Sequence, residues 1–372
     1  MRIAQVSPLY ESVPPRLYGG TERIVHYLTE ELVRMGHEVT LFASGDSITS
    51  AKLAPQCEQA LRLDERCTDA LVKHLLMIER VSTWHEDFDV IHFHTDYLHF
   101  PLARRMSVPH VTTLHGRLDI ADLGPMYDEF SDISVVSISD AQRRPLQQAN
   151  WVATVHHGLP KDLLRFQPDP EGYFAFVGRI SPEKRVDRAI EIATALEVPI
   201  KIAAKIDKVD REYFEARIRP LLAQPLVEFV GEIGETDKSE FMGHARALLF
   251  PIDWPEPFGL VMIEAMACGT PVIAFRNGSV SEVLEDGVSG FVVESMEEAI
   301  EAAGRVHELD RAGVREQFER RFTAERMAQD YLDIYADLCA RSTLRSGITQ
   351  STPPDSAVPD TDEPAPGDVV AA

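Results

Sequence analysis

The sequence predicts an α/β protein of two parallel-sheet domains around a cleft, and three stretches carry that prediction. Residues 2–43 run strand, helix, strand. After a proline-containing connection at 160–172, a fresh strand-then-helix pattern starts at Tyr173. Residues 247–275 then form a strand, loop, helix and strand in succession. Such alternation builds parallel sheets with right-handed crossovers. A chain of 372 residues is also long for one core and comfortable for two.

In chain order, Arg2 to Ser7 and Glu38 to Ala43 read as strands. Between them, Thr21 to Met35 has helical periodicity in Ile24, Val25, Leu28, Leu32 and Met35, and Gly36 closes it. Residues 46–66 read as irregular surface and Thr68 to His85 as a helix. Val90 to His94, His110 to Gly116, Ile133 to Ile138 and Val152 to Val155 are further strands, with Ser139-Asp140 capping a helix. In the second half, Tyr173 to Val177, Ile200 to Lys205, Val227 to Ile233, Ala247 to Phe250, Thr270 to Phe275 and the segment after Gly290 read as strands. Helices are expected from Pro182 through Leu196, over 207–222, 237–247, 258–268, 279–284 and 295–309, and from Phe322 onward with Thr323 as cap. Beyond about Ser346, proline and acid without apolar periodicity predict a disordered tail over 346–372.

The apolar content of 44% is ordinary for a globular protein, whereas the net charge of −23 is not. It argues against nucleic acid, whose partners are basic, and against broad attachment to an anionic membrane. No stretch approaches the roughly 20 apolar residues of a spanning helix. The start lacks the basic and apolar regions of a signal peptide, and the four scattered cysteines suggest neither a disulfide framework nor a metal site. A cytoplasmic protein is expected. His92 and His94 alternate onto one strand face, but no further ligand is clearly placed to complete a metal site.

The richest chemistry lies in the loop and helix of residues 251–268. Glu256 stands just ahead of a helix start, and Glu264 follows on the helix after seven intervening residues. First-turn amides near Gly259 and Leu260 could receive an anion. A phosphate there, flanked by two carboxylates, suggests a phosphorylated and hydroxyl-rich ligand. Gly178-Arg179 ends a strand and Glu183-Lys184 follows near a helix start, which brings a guanidinium and an ammonium to one strand edge as a possible diphosphate clamp. Gly19-Gly20 directly precedes the first long helix and permits close backbone approach to a ligand, although Gly-x-Gly-x-x-Gly is absent. His115 ends a strand at the carboxyl edge, where ligands bind in open α/β sheets.

Glu256-Pro-Phe-Gly-Leu-Val-Met-Ile-Glu264, with the following Ala-Met-Ala-Cys-Gly-Thr-Pro, closely resembles the signature of retaining glycosyltransferases of family four. Gly178-Arg179 with Glu183-Lys184, and the run Thr-Leu-His115-Gly, resemble further motifs of that family. The resemblance implies the glycosyltransferase-B (GT-B) fold, with two Rossmann-like domains facing across a deep cleft. Residues 1–165 would bind the acceptor, and a crossover helix at about 323–340 would complete that domain. Residues 166–322 would bind a nucleotide-sugar donor. Gly19, Gly20, Arg179, Lys184, Gly259 and Leu260 would hold the donor diphosphate. His115, Glu256, Pro257, Phe258 and Gly259 would hold its sugar, and Glu264 the ribose. Gly231, Glu232 and Ile233 would approach the base, while His115, Glu256, Arg179 and Lys184 would act in catalysis.

No metal or separate cofactor is implied, and a soluble hydroxyl-bearing acceptor is expected. Two competing readings remain: an epimerising or hydrolytic enzyme on the same fold, and a non-catalytic nucleotide-sugar-binding protein. Two departures from the family pattern stand out. Arg185 occupies a position where many relatives carry glycine, a change expected to be sterically harmless, and His157 replaces an asparagine before Gly158.

Overall fold

The computed structural model describes residues 1–16 and 19–349, with side chains to Thr343. Two wholly parallel sheets organise the chain. The first contains β1 (Arg2–Val6), β2 (Glu38–Ala43), β3 (Lys52–Pro55), β4 (Val90–Phe93), β5 (His110–Thr113), β6 (Val135–Ser137) and β7 (Trp151–Thr154), in the order β3-β2-β1-β4-β5-β6-β7. The second contains β8 (Phe174–Arg179), β9 (Ile200–Lys205), β10 (Val227–Gly231), β11 (Leu248–Phe250), β12 (Val272–Phe275) and β13 (Gly290–Val293), in the order β10-β9-β8-β11-β12-β13. Two Rossmann-like parallel sheets of this kind constitute the GT-B fold.

Central strands are apolar on both faces because helices cover both sides. Val90, Ile91 and Phe93 are inaccessible to solvent, as are Val272 and Ala274. The helix Gly20–Arg34 buries Ile24, Val25, Leu28 and Leu32, as its periodicity predicts.

Four segments differ from expectation. Lys52–Pro55, expected as irregular surface, is the edge strand β3; four residues with one buried side chain leave little periodic signal. The helix expected over 207–222 is present over 208–218 but irregular, passing into a five-residue π segment at Phe214–Ile218, with a separate short turn at Leu221–Ala223. A helix at Arg311–Arg321 was not anticipated, because its charged sequence buries only Arg311, Val314 and Phe318. Asp310 starts it by accepting from the amides of Ala312 and Gly313. The final helix, Ala324–Thr349, runs past the expected start of the tail; the rest of that prediction, residues 350–372, lies outside the described residues.

This last helix returns to the first sheet. Tyr335 and Tyr331 are buried there, and Tyr335 Oη pairs with Gln5 on β1 and His92 on β4. The chain's two passages between the sheets lie side by side: the Leu159 amide donates to Phe322, and the Ala324 amide donates back to Leu159. Gly158 permits this approach, since a Cβ there would stand 2.2 Å from the Thr323 carbonyl oxygen.

Candidate active site

In each sheet the strand order reverses at the first strand: β1 lies between β2 and β4, and β8 between β9 and β11. Loops leaving the carboxyl ends on either side of such a point diverge and leave a crevice. The Gly19-Gly20 loop follows β1, the Arg179–Lys184 segment follows β8, and the Trp254–Gly259 turn follows β11. All three line one cleft of about 950 Å³. His115, Glu256, Pro257, Phe258, Gly259, Leu260, Glu264, Glu232 and Ile233 line it too. Gly231 does not; it closes β10 with φ +80°, a geometry suited to glycine, and delivers its two successors to the wall.

The helix Leu260–Ala267 enters the cleft without a side-chain cap on its first amides. Gly259 precedes it at φ +80°, and a Cβ there would press on Met262 and Phe250. Across the cleft, a Cβ on Gly20 would meet Leu260 Cδ1 at 3.6 Å, so the glycine loop faces the helix start. Gly19 is the tighter of the pair, with Pro15 only 2.8 Å from where its Cβ would stand.

The charged groups are engaged with one another. Lys184 Nζ bonds to the Glu256 carboxylate, which also accepts from Trp254 Nε1 at 2.9 Å. Arg179 faces Glu183 at 2.5 Å, Asp210 at 3.4 Å and Asp207 at 3.7 Å, and Lys205 reaches Asp207 at 3.1 Å. Burial works to raise the Glu183 carboxyl, but hydrogen bonds from backbone, Ser181 and Arg179 outweigh it and hold the group below the usual range. Burial pushes Asp210 up against the opposing pull of Arg179. Glu264 is buried and accepts from Lys238 Nζ at 2.6 Å. Lys238 and Lys205 line the cleft but were missed in the sequence, where Lys238 is one lysine among polar neighbours and Lys205 ends a mostly apolar strand.

Histidines build the opposite wall. His94, at the end of β4, hydrogen-bonds His115 at 2.9 Å and Gln5 at 2.8 Å. His115 stacks on His157, with centroids 5.3 Å apart. Burial pushes His115 down to about 3 and His92, His94 and His157 well below their ordinary value, so all four are neutral. His92 spends both nitrogens on Tyr335 and Thr113. Among the described residues, no group of three or more His, Cys, Asp or Glu side chains could hold a metal ion.

Arg185 corrects the view that its substitution is harmless. Its backbone lies in the left-handed region at φ +52°, which favours glycine and costs other residues about 1–2 kcal/mol. Its guanidinium is held by Asp187 at 2.9 Å and Asp253 at 3.0 Å.

The family model for "Glycosyl transferases group 1" matches residues 165–321, and that for "Glycosyltransferase Family 4" matches residues 18–177. The chain belongs to this glycosyltransferase family. An uncharacterized glycosyltransferase of Methanocaldococcus jannaschii is 27% identical over 225 residues; the alignment covers 56% of this chain and 62% of that relative. Sucrose-phosphate synthase from Thermosynechococcus elongatus is similar in structure, with a TM-score of 0.75 at 19% identity, covering 91% of this chain and 99% of that one. Anabaena HepE in complex with UDP and glucose gives a TM-score of 0.69 at 20% identity, covering 91% and 100%. The family 4 glycosyltransferase described here is thus an enzyme of the GT-B class. No described helix is long and apolar enough to cross a membrane.

Proposed function

We propose that this glycosyltransferase moves a hexosyl group from a UDP- or GDP-sugar to a hydroxyl of a small-molecule or oligosaccharide acceptor, with retention at the anomeric carbon. The observation that carries the reading is that Arg179, Lys184 and the uncapped helix start at Gly259–Leu260 all line a single cleft. Cations and helix amides lining one cleft suit a diphosphate whose negative charge grows as the glycosidic bond breaks. In this reading residues 1–165, completed by the helix from about 323 to 340, bind the acceptor, and residues 166–322 bind the donor.

Glu256 orients the donor sugar through its hydroxyls, Glu264 holds the ribose, and Glu232 and Ile233 approach the base. Glu256 and Glu264 serve binding here, and, as the family resemblance implies, no carboxylate is given the role of a covalent nucleophile. The acceptor oxygen attacks on the face from which the diphosphate departs: the C1–phosphate oxygen bond breaks, the C1–acceptor oxygen bond forms, and a phosphate oxygen takes the acceptor's proton. The basic groups and helix amides supply the positive charge, and turnover is expected to survive chelation of divalent ions. That HepE was solved with UDP and glucose supports the donor class.

Calorimetric titration with UDP, GDP, ADP and their hexose derivatives tests this reading, with Arg179→Ala as control. Micromolar binding of one nucleotide series, lost in the variant, is expected. Binding to none would remove the donor assignment.

A further inference from the structure

A continuous chain of hydrogen bonds runs from the last helix to the cleft. Tyr331 Oη pairs with Thr113 Oγ1 at 2.8 Å, and Thr113 with His92 Nε2 at 2.7 Å. His92 Nδ1 pairs with Tyr335 Oη at 2.7 Å, and Tyr335 with Gln5 Nε2 at 3.1 Å. Gln5 Oε1 meets His94 Nε2 at 2.8 Å, and His94 Nδ1 meets His115 Nε2 at 2.9 Å. Every interior member of the chain is buried.

Such a chain has a direction. A neutral imidazole has one donor and one acceptor nitrogen, so fixing one link fixes the next. The Gln5 amide donates to Tyr335 and presents its oxygen to His94. His94 must therefore be protonated on Nε2, which leaves Nδ1 to accept from His115 Nε2–H. The reversed chain would put the proton on His115 Nδ1. That atom is buried and has no protein partner, so reversal would strand a donor, at a cost of about 1–3 kcal/mol. In the observed direction the same atom is an unfilled acceptor, a less costly state.

We propose that Gln5 and His94 are positioning residues that lock His115 as the Nε2–H tautomer. Resting on the transferase reading above, this leaves Nδ1 as the unfilled acceptor of a ring that lines the cleft, to be engaged by a hydroxyl of the bound sugar once binding uncovers that atom. His115 then acts as a fixed acceptor through Nδ1, keeps its proton on Nε2 and does not shuttle it. The chain continues to Tyr335 of the final helix, whose hydroxyl can donate or accept and so follows the Gln5 amide.

The test is long-range ¹H–¹⁵N correlation of the imidazole rings in the full-length protein at pH 7, with Gln5→Leu as the variant. Wild-type His115 is expected to carry its proton on Nε2. Gln5→Leu should mix the tautomers and lower kcat about 10-fold, the loss of one hydrogen bond's worth of orientation, with little change in donor KM. Adding UDP-glucose should shift His115 Nδ1 where UDP alone does not. A wild-type His115 protonated on Nδ1 would overturn the proposal even if the variant failed to fold. So would a folded Gln5→Leu protein with an unchanged tautomer. A correct tautomer lost in Gln5→Leu, with no shift on adding either UDP-glucose or a GDP-hexose, would leave the lock standing and remove the donor reading instead.

Discussion

Lys184 and Glu256 are ion-paired with each other at the cleft wall, although the first was assigned to the diphosphate and the second to the sugar. Each therefore holds the other when no ligand is bound. Lys184→Ala should lower kcat/KM for the donor about 100-fold by removing charge from the leaving group. Combined with Glu256→Gln, the losses should fall short of additivity, because contacting residues share one interaction. Steady-state kinetics of both single variants and the double variant measure this; strict additivity would show that the pair does not function as a unit.

Gly158→Ala tests the place where the chain crosses twice between the sheets. The added methyl would overlap backbone atoms of Thr323 and Ala324, which no side-chain rotation can relieve. A cost of about 1–3 kcal/mol is expected for such overpacking. Calorimetry should show a lower Tm, and an unchanged Tm would mean that the two passages separate without cost.

The buried histidines predict acid sensitivity. His92, His94, His99 and His157 are held neutral by burial, so the unfolded chain binds more protons than the folded one below pH 6.5. Stability then falls as pH falls from 6.5 and continues to fall until the folded groups titrate. Each contributes up to about 1.4 kcal/mol per pH unit in that window. Between pH 6.5 and 5.5, Tm should drop by about 5 °C. A flat profile over that range would contradict the burial of these rings as neutral groups.

Arg185→Gly should relieve a left-handed backbone while breaking the pairs to Asp187 and Asp253. Relief of about 1–2 kcal/mol outweighs partly exposed ion pairs of about 0–1 kcal/mol. A small rise in Tm is expected, and a fall would assign the pairs to Asp187 and Asp253 more weight than their exposure allows.

The sequence was most readable where a physical requirement is local. Gly259 precedes a helix and Glu264 follows on it, so the loop and helix around them could be placed without knowing the fold. The carboxylates that pair with Arg179 were harder: Asp207 and Asp210 reach it only because β8 and β9 are neighbours, which no local pattern reveals. His94 gave a visible signal, two residues from His92 on one strand face, but its partners Gln5 and His115 come from two other strands. Tyr335 is further still, 330 residues from Gln5, and only the return of the last helix brings it there.

The pairing of Leu159 with Phe322 and Ala324 has a mechanical meaning. Two chain crossings tied by two hydrogen bonds act as a single pivot, which resists sliding and leaves rotation as the easy relative motion. Glu282 lies near the same pivot: it accepts from the amides of Asp140 and Ala141 at 2.7 Å each, across from its own sheet. A relative turn of the two sheets about this corner would keep the Leu159 bonds, whereas a slide of one sheet past the other would break them.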